Sequence, residues 1–216
     1  MEQFKKTVLF DFDGVISDTE PLYDLFWNDA AIRYRVKYDN FADLIKGTTM
    51  PYVLSTYFAD YSKEEIDRLN EEIAEFERNM PFPLIPGVME FITMLKNNDI
   101  KIGLVTSSDN AKMANAFRAL PIKELFDTIV TADRITKGKP DPMCYLLGAS
   151  DLNAAPSECL VFEDSFAGIQ AGTAAGMRVI GISSSNPAET LQDKVYEVLP
   201  ILKELLLKNT KHGRCR

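Results

Sequence analysis

The stretch Val8-Leu-Phe-Asp-Phe-Asp-Gly-Val-Ile-Ser-Asp-Thr-Glu-Pro21 decides how the rest of the chain is read. Thr7 to Phe10 is apolar and β-branched at its start, the pattern of a buried strand. It runs directly into Asp11, Asp13 and Gly14. Side chains alternate along an extended chain, so Asp11 and Asp13 point the same way if that conformation persists. Two like charges held close together repel, and the arrangement calls for a positive group to join them. A calcium loop does not fit this stretch. Counting from Asp11, Gly14 falls at the fourth position instead of the sixth, and Leu22 stands where a twelfth-position Glu belongs.

Outward from this strand the chain changes character twice. From about residue 86 onward strands and helices alternate. Ile100–Thr106, Thr128–Thr131, Cys159–Glu163 and Arg178–Ile182 read as strands. Asp109–Leu120, Pro142–Ser150 and Phe166–Ala175 read as helices, the last closed by Gly176. Such alternation predicts an α/β fold, a Rossmann-like parallel sheet with helices on both faces. The segment between has no convincing strand. Ser62 and Glu65 form a capping box, followed by Ile66, Leu69, Ile73, Phe76 and Met80 at helical spacing. Trp27, Ile32 and Tyr34 mark an earlier helix, and Pro81 to Gly87 is a proline-rich hinge. The expected division is an α/β core over residues 1–17 and 84–216, with an all-helical cap inserted over residues 18–83.

Composition narrows the chemistry. The net charge of −8 over 216 residues supplies no basic stripe for nucleic acid. The one basic cluster, Lys208 to Arg216, reads as a frayed tail. The three cysteines form no C-x-x-C pair, which fits a reducing compartment without a disulfide framework. The single histidine, His212, lies in that tail, so Ser-His-Asp chemistry and histidine-ligated metals are excluded and catalysis falls to carboxylates, hydroxyls and lysine. The N-terminal apolar run is too short and too charged for a signal peptide, and no segment approaches membrane-spanning length. The chain is expected to be a cytoplasmic monomer and to engage neither nucleic acid nor membrane.

In a parallel α/β sheet the ligand site lies beyond the carboxyl ends of the strands. Those ends deliver Asp11 and Asp13, then Thr106, Ser107 and Ser108, then Glu163 and Asp164, with Lys139 in the loop Lys137 to Pro142. Carboxylates facing each other need a cation, and an all-oxygen set alongside phosphate points to Mg2+. The metal and a lysine reverse the local sign and admit a phosphate dianion. Ser107 and Ser108 precede a helix whose first N–H groups suit phosphate oxygens. Without histidine, a carboxylate is the available nucleophile: one Asp attacks phosphorus, and a second carboxylate two residues on moves the proton. Thr106 and Lys139 stabilise charge on the phosphoryl oxygens.

These four motifs, in this order, resemble the haloacid-dehalogenase-like phosphohydrolase superfamily, in the group holding β-phosphoglucomutase and sugar-phosphate phosphatases. Asp11-Phe-Asp-Gly14 matches the first motif, Thr106 the second, Lys139 before Pro140 the third, and Glu163-Asp164 the acidic fourth. The likeness covers the chain to about residue 185. It implies that Asp11 is the nucleophile and a Mg2+ ligand. Asp13 is then the general acid/base and gives its main-chain carbonyl to the metal. Asp164 is a metal ligand, with Glu163 beside it as a ligand or one shell behind. The helical insert resembles the mobile cap of that group.

Two positions depart from the mutase pattern. Tyr23 stands where the mutase has a histidine, and Met50 stands where a cap arginine holds the distal phosphate. Losing that arginine removes a bidentate phosphate partner, which favours a Mg2+-dependent phosphatase of small phosphorylated metabolites over a mutase, with a phosphometabolite-binding regulator that has lost turnover as the third reading. Tyr23 and Met50, with Gly47 and Thr48 of the same cap stretch, are candidate substrate contacts together with Ser107 and Ser108. Thr48 and Thr49 read equally as helix caps.

Overall fold

The computed structural model describes residues 6–200 and 202–204, so the basic tail with His212 and Cys215 lies outside the described residues. β1 (Thr7–Phe10) is buried along its whole length. It is the third strand of a six-stranded sheet in the order β3-β2-β1-β4-β5-β6. The others are β2 (Lys101–Val105), β3 (Thr128–Val130), β4 (Cys159–Glu163), β5 (Arg178–Ile182) and β6 (Glu197–Leu199). Every pairing is parallel. The register sets Phe10 level with Leu104 on one side and Phe162 on the other. β1, β2 and β4 therefore end together, and the strand order reverses between β1 and β4, where such sheets open a ligand crevice.

The period-two alternation of β1 explains both helical layers. Val8 and Phe10 face a core with Phe91, Ile92 and Leu95 of α5 (Val88–Lys96) and Met113 and Ala116 of α6 (Asn110–Ala119). Leu9 faces the opposite core with Tyr145 and Ala149 of α7 (Met143–Asp151) and Ile169 and Ala171 of α8 (Phe166–Ala174). This is a Rossmann-like α/β core, with the short α9 (Ala188–Leu191) beside β5 and β6.

Between β1 and α5 the chain forms α1 (Glu20–Arg33), α2 (Phe41–Ile45), α3 (Met50–Tyr57) and α4 (Lys63–Arg78). These helices share an aromatic core of their own, including Trp27, Tyr34, Phe41 and Phe58 with Leu69 and Ile73. The segment leaves and re-enters the α/β body through adjacent backbone: Asp18 N–H donates to Pro83 at 2.8 Å and Ile85 N–H to Ile16 at 3.0 Å. The expected capping box of α4 is present.

The elements differ from the sequence reading in particular places. The helices α2, α3 and α5 and the edge strand β6 were not foreseen, being short or lacking a clean period. Met80 lies past the end of α4 and packs in the α/β core instead of continuing the helical stripe. Ile32 does lie in α1 but faces outward, 79% exposed. Phe162 is wholly buried, stacked on Phe10 with ring centroids 5.1 Å apart and edge-on to Phe91 at 5.4 Å. Phe162→Ala is expected to lower unfolding free energy by about 3–5 kcal/mol. Ile32→Ala is expected to stay within about 0.5 kcal/mol of the parent. Urea denaturation of both variants checks the pair.

Candidate active site

The site begins with Lys139, which the loop after β3 carries back into the protein until it is only 1% exposed. Its Nζ lies 2.9 Å from Asp11 Oδ1 and 2.6 Å from Glu163 Oε1, and donates to the Val105 carbonyl at 3.4 Å. Glu163 Oε1 also accepts the Tyr145 hydroxyl at 2.9 Å. Its Oε2 accepts the main-chain N–H groups of Asp164 and Ser165 and the Ser165 hydroxyl, each at 3.0 Å. Both oxygens of Glu163 are thus engaged by protein donors. Burial pulls the Lys139 ammonium toward the neutral form, but Asp11 and Glu163 outweigh it and hold its pKa above the ordinary value.

The carboxylates are not fully offset by this one ammonium. Asp11, Glu163 and Asp164 each place an oxygen within 4.8 Å of the others, and all three residues are buried. Burial pushes Asp11 up to about 7 against the opposing pull of Lys139, with Glu163 and Asp13 adding to the rise. Burial and then Glu163 hold Asp164 well above the usual carboxylate range. Three buried carboxylates against one ammonium, with oxygen the only donor atom, form a set that suits a hard divalent cation. Gly14 makes room for the Asp164 carboxylate. Its φ is +71°, and a Cβ there would lie 2.1 Å from Asp164 Oδ2. Asp164 is steered from the loop after β5, where the Ser185 hydroxyl donates to Oδ2 and Asn186 Nδ2 donates to its carbonyl at 2.9 Å.

Asp13 stands outside that group of three. Strand geometry ends at Phe10, and Asp13 pairs in an isolated bridge with Ser17. Its Oδ1 accepts the Thr19 hydroxyl. Its Oδ2 accepts the Ser108 hydroxyl at 3.0 Å and the Lys112 ammonium at 2.7 Å. Thr106 is buried just behind, its hydroxyl accepting the Ser108 N–H at 3.0 Å. Two of the helix-start N–H groups expected to meet phosphate are otherwise engaged. Those of Asn110 and Lys112 go to Asp133 at 2.7 Å and Asp109 at 2.8 Å.

A cavity of about 750 Å³ separates this floor from the helical insert. Asp11, Asp13, Asp164, Ser107 and Ser108 line it from below, and Tyr23, Gly47, Thr48 and Met50 from above. The two sides touch where the Ser107 hydroxyl donates to the Gly47 carbonyl at 2.7 Å. Gly47 has φ +74°, and a Cβ would come 2.2 Å from Ser165 Oγ, so only glycine permits this approach. Thr48 turns its hydroxyl back to the Ile45 carbonyl at 2.6 Å. Tyr23 gives its hydroxyl to Glu77 at 2.7 Å. Thr106, Lys139 and Glu163 are not part of the cavity wall and lie behind it.

Sequence reasoning missed Lys112, Glu20, Tyr145 and Ser185. Glu20 is buried on the cavity wall, and burial raises its carboxyl to about 8, with Asp13 adding. Lys112 carried one local signal, a lysine in the first turn of a helix, where a cation is unfavourable.

The profile described as haloacid dehalogenase-like hydrolase matches residues 8–182. The chain is 32% identical over 223 residues to β-phosphoglucomutase of Bacillus subtilis, covering 98% of each chain. It is 32% identical over 218 residues to the phosphorylated carbohydrates phosphatase of Thermotoga maritima, covering 93% of this chain and 100% of that one. The crystal structure of β-phosphoglucomutase from Clostridium difficile superposes with a TM-score of 0.77 at 28% identity, over 99% of this chain and 100% of that one. The chain belongs to the haloacid dehalogenase-like hydrolases. Within them it is an enzyme of the group that holds phosphatases and phosphoglucomutases. Among its described residues no helix is long and apolar enough to cross a membrane.

The raised Asp164 carboxyl gives a testable sign. A carboxyl whose pKa is raised on folding favours the fold while protonated, and that advantage is lost as pH rises toward the folded value. Near pH 7.5, metal-free Asp164→Asn is expected to melt about 2–4 °C above the parent. Mg2+ is expected to raise the parent's Tm by mass action and to raise the variant's far less. Differential scanning fluorimetry with EDTA and with Mg2+ reads both effects.

Proposed function

We propose that this enzyme is a Mg2+-dependent phosphatase of small phosphorylated metabolites, sugar phosphates foremost, acting through an aspartyl-phosphate on Asp11. The observation that carries the reading is the division of labour between Asp11 and Asp13. They stand two residues apart on one cavity wall, one paired with Lys139 and the other held separately by Thr19, Ser108 and Lys112. A nucleophile and an acid/base need this independence. Asp11, Asp164 and the main-chain carbonyl of Asp13 would hold Mg2+, with Glu163 behind them fixing Lys139. Bound there, the ion supplies charge neutralisation for the phosphoryl oxygens.

In the first half-reaction an Asp11 oxygen bonds to phosphorus as the ester P–O bond breaks. Asp13 gives its proton to the departing oxygen, and the alcohol leaves neutral. In the second, Asp13 takes a proton from water, the water oxygen bonds to phosphorus, and the Asp11–phosphorus bond breaks to release phosphate. Lys139, paired with Asp11 behind the cavity wall, and Thr106, just past the end of β2, would offset charge on the transferring group. The helices over residues 18–83 serve as a cap. Their docking through Gly47 excludes water and presents Tyr23, Thr48 and Met50 to the leaving group.

Mutase activity, the activity of the Bacillus subtilis relative, has less support. Inside the cavity Lys46 is paired with Asp24 at 2.9 Å and Asp43 at 3.0 Å, and Lys112 is paired with Asp13. Neither lysine is spare to hold a second phosphate, the two arginines of the cavity wall, Arg78 and Arg118, are exposed at its rim, and Met50 opens α3 where an arginine would do so. Phosphorus NMR of the enzyme with Mg2+, β-glucose 1-phosphate and a trace of its 1,6-bisphosphate is expected to show no glucose 6-phosphate. A panel of hexose and hexitol phosphates is expected to release inorganic phosphate. Asp11→Asn is expected to lose at least ~10³-fold in turnover while retaining the parent's circular dichroism. Glucose 6-phosphate formed without free phosphate would establish the mutase instead.

A further inference from the structure

Lys112 is placed against local preference. It lies in the first turn of α6, where the helix dipole disfavours a cation, and its side chain is buried, which takes an ammonium out of water. Conflicts of this kind concentrate at functional positions. What offsets them is a chain of contacts across the cavity. Nζ lies 2.7 Å from Asp13 Oδ2 and 4.5 Å from the centroid of the Tyr23 ring. An ammonium over an aromatic face is attracted by the ring's negative centre. Tyr23 in turn donates to Glu77 at 2.7 Å. The charged groups that face Lys112 are Asp13, Glu77 and Glu20. Asp13 belongs to the α/β core, whereas Tyr23 and Glu77 sit on α1 and α4 of the insert.

The geometry points to Lys112 as the residue that positions Asp13 for proton transfer, held in place by Tyr23 and Glu77 so that Asp13 is fully ordered only when the insert sits on the core. This rests on the phosphatase reading above. Among the described residues Thr19 alone holds Oδ1 of Asp13, while Ser108 and Lys112 share Oδ2. Removing the ammonium leaves one hydroxyl on each oxygen and frees the carboxylate to turn. It also removes the positive charge that offsets the carboxylate formed as Asp13 gives up its proton. Moving the insert away takes the Tyr23 ring and Glu77 from Lys112 and has the same effect by degrees. Lys112 is a positioning residue in this account, because it acts on the reacting atoms through Asp13.

Two aryl esters of nearly equal shape separate this role from a structural one. Phenolate is a poor leaving group and needs a proton, whereas p-nitrophenolate leaves with much less help. In single turnovers of the Mg2+-loaded enzyme, Lys112→Met is expected to slow phosphoryl transfer from phenyl phosphate ~10²-fold. Its loss on p-nitrophenyl phosphate is expected to be about tenfold smaller. Lys112→Arg, which keeps the charge, is expected to recover part of the difference. Tyr23→Leu, made on the insert, is expected to move the ratio of the two rates in the same direction. Equal losses on both esters in Lys112→Met and Tyr23→Leu, at wild-type Tm, would overturn the positioning role and leave Lys112 a packing residue. Failure of the phosphatase reading looks different: the unmodified enzyme itself would then release phosphate from neither aryl ester nor any sugar phosphate.

Discussion

The contact on which the rest of the structure depends is the buried ammonium of Lys139 between Asp11 and Glu163. It joins four strands at their carboxyl ends, because Lys139 follows β3, Asp11 follows β1, Glu163 ends β4, and the Val105 carbonyl closes β2. Breaking a buried pair by removing one partner is worth about 3–5 kcal/mol, because the charge left behind has no water to return to. Here two carboxylates would be stranded by the loss of one lysine. Glu163 shows how firmly the arrangement is built: Tyr145, Ser165 and two main-chain N–H groups complete its bonding at the start of α8. The ammonium still leaves the three-carboxylate group short of positive charge, and that shortage is the physical reason to expect a divalent ion beside Asp11 and Asp164.

The insert contributes the other half of the cavity. Its helices carry an aromatic core of their own. They meet the α/β body at close range. Ser107 reaches Gly47, and Gly138 lies against Thr49 so tightly that a Cβ would come 2.6 Å from its Cγ2. The arrangement separates chemistry from selection. In the proposed reading the carboxylates that react follow β1, whose position the sheet register sets, whereas the residues that face a leaving group come from the helices and turns of the insert. In this reading the same floor serves different esters as the roof changes.

How much of this was legible in the sequence follows from how local each signal is. Strands of four or five apolar residues announced themselves, and their ends pointed at once to Asp11, Asp13, Thr106 and Asp164. Lys139 was found through its company, since nothing about a lysine before proline tells of burial. The short helices α2 and α3, with five and eight residues, are too brief to show a period. The edge strand β6 has three residues and pairs with β5 alone. Glu20 and Lys112 were hidden for a different reason. One opens α1 and the other lies in the first turn of α6, and the fold brings both to Asp13 across separations that no local pattern spans. Ser185 reaches Asp164 across 21 positions of chain, a distance no local pattern spans.

The measurement that tests the central claim most directly is mass spectrometry of the enzyme quenched in acid milliseconds after mixing with Mg2+ and p-nitrophenyl phosphate, followed by peptide mapping. The account predicts a single phosphoryl group, carried by the peptide containing Asp11 and located on that carboxylate. A protein that stays unmodified while phosphate accumulates, or a phosphoryl group on any other residue, would contradict it.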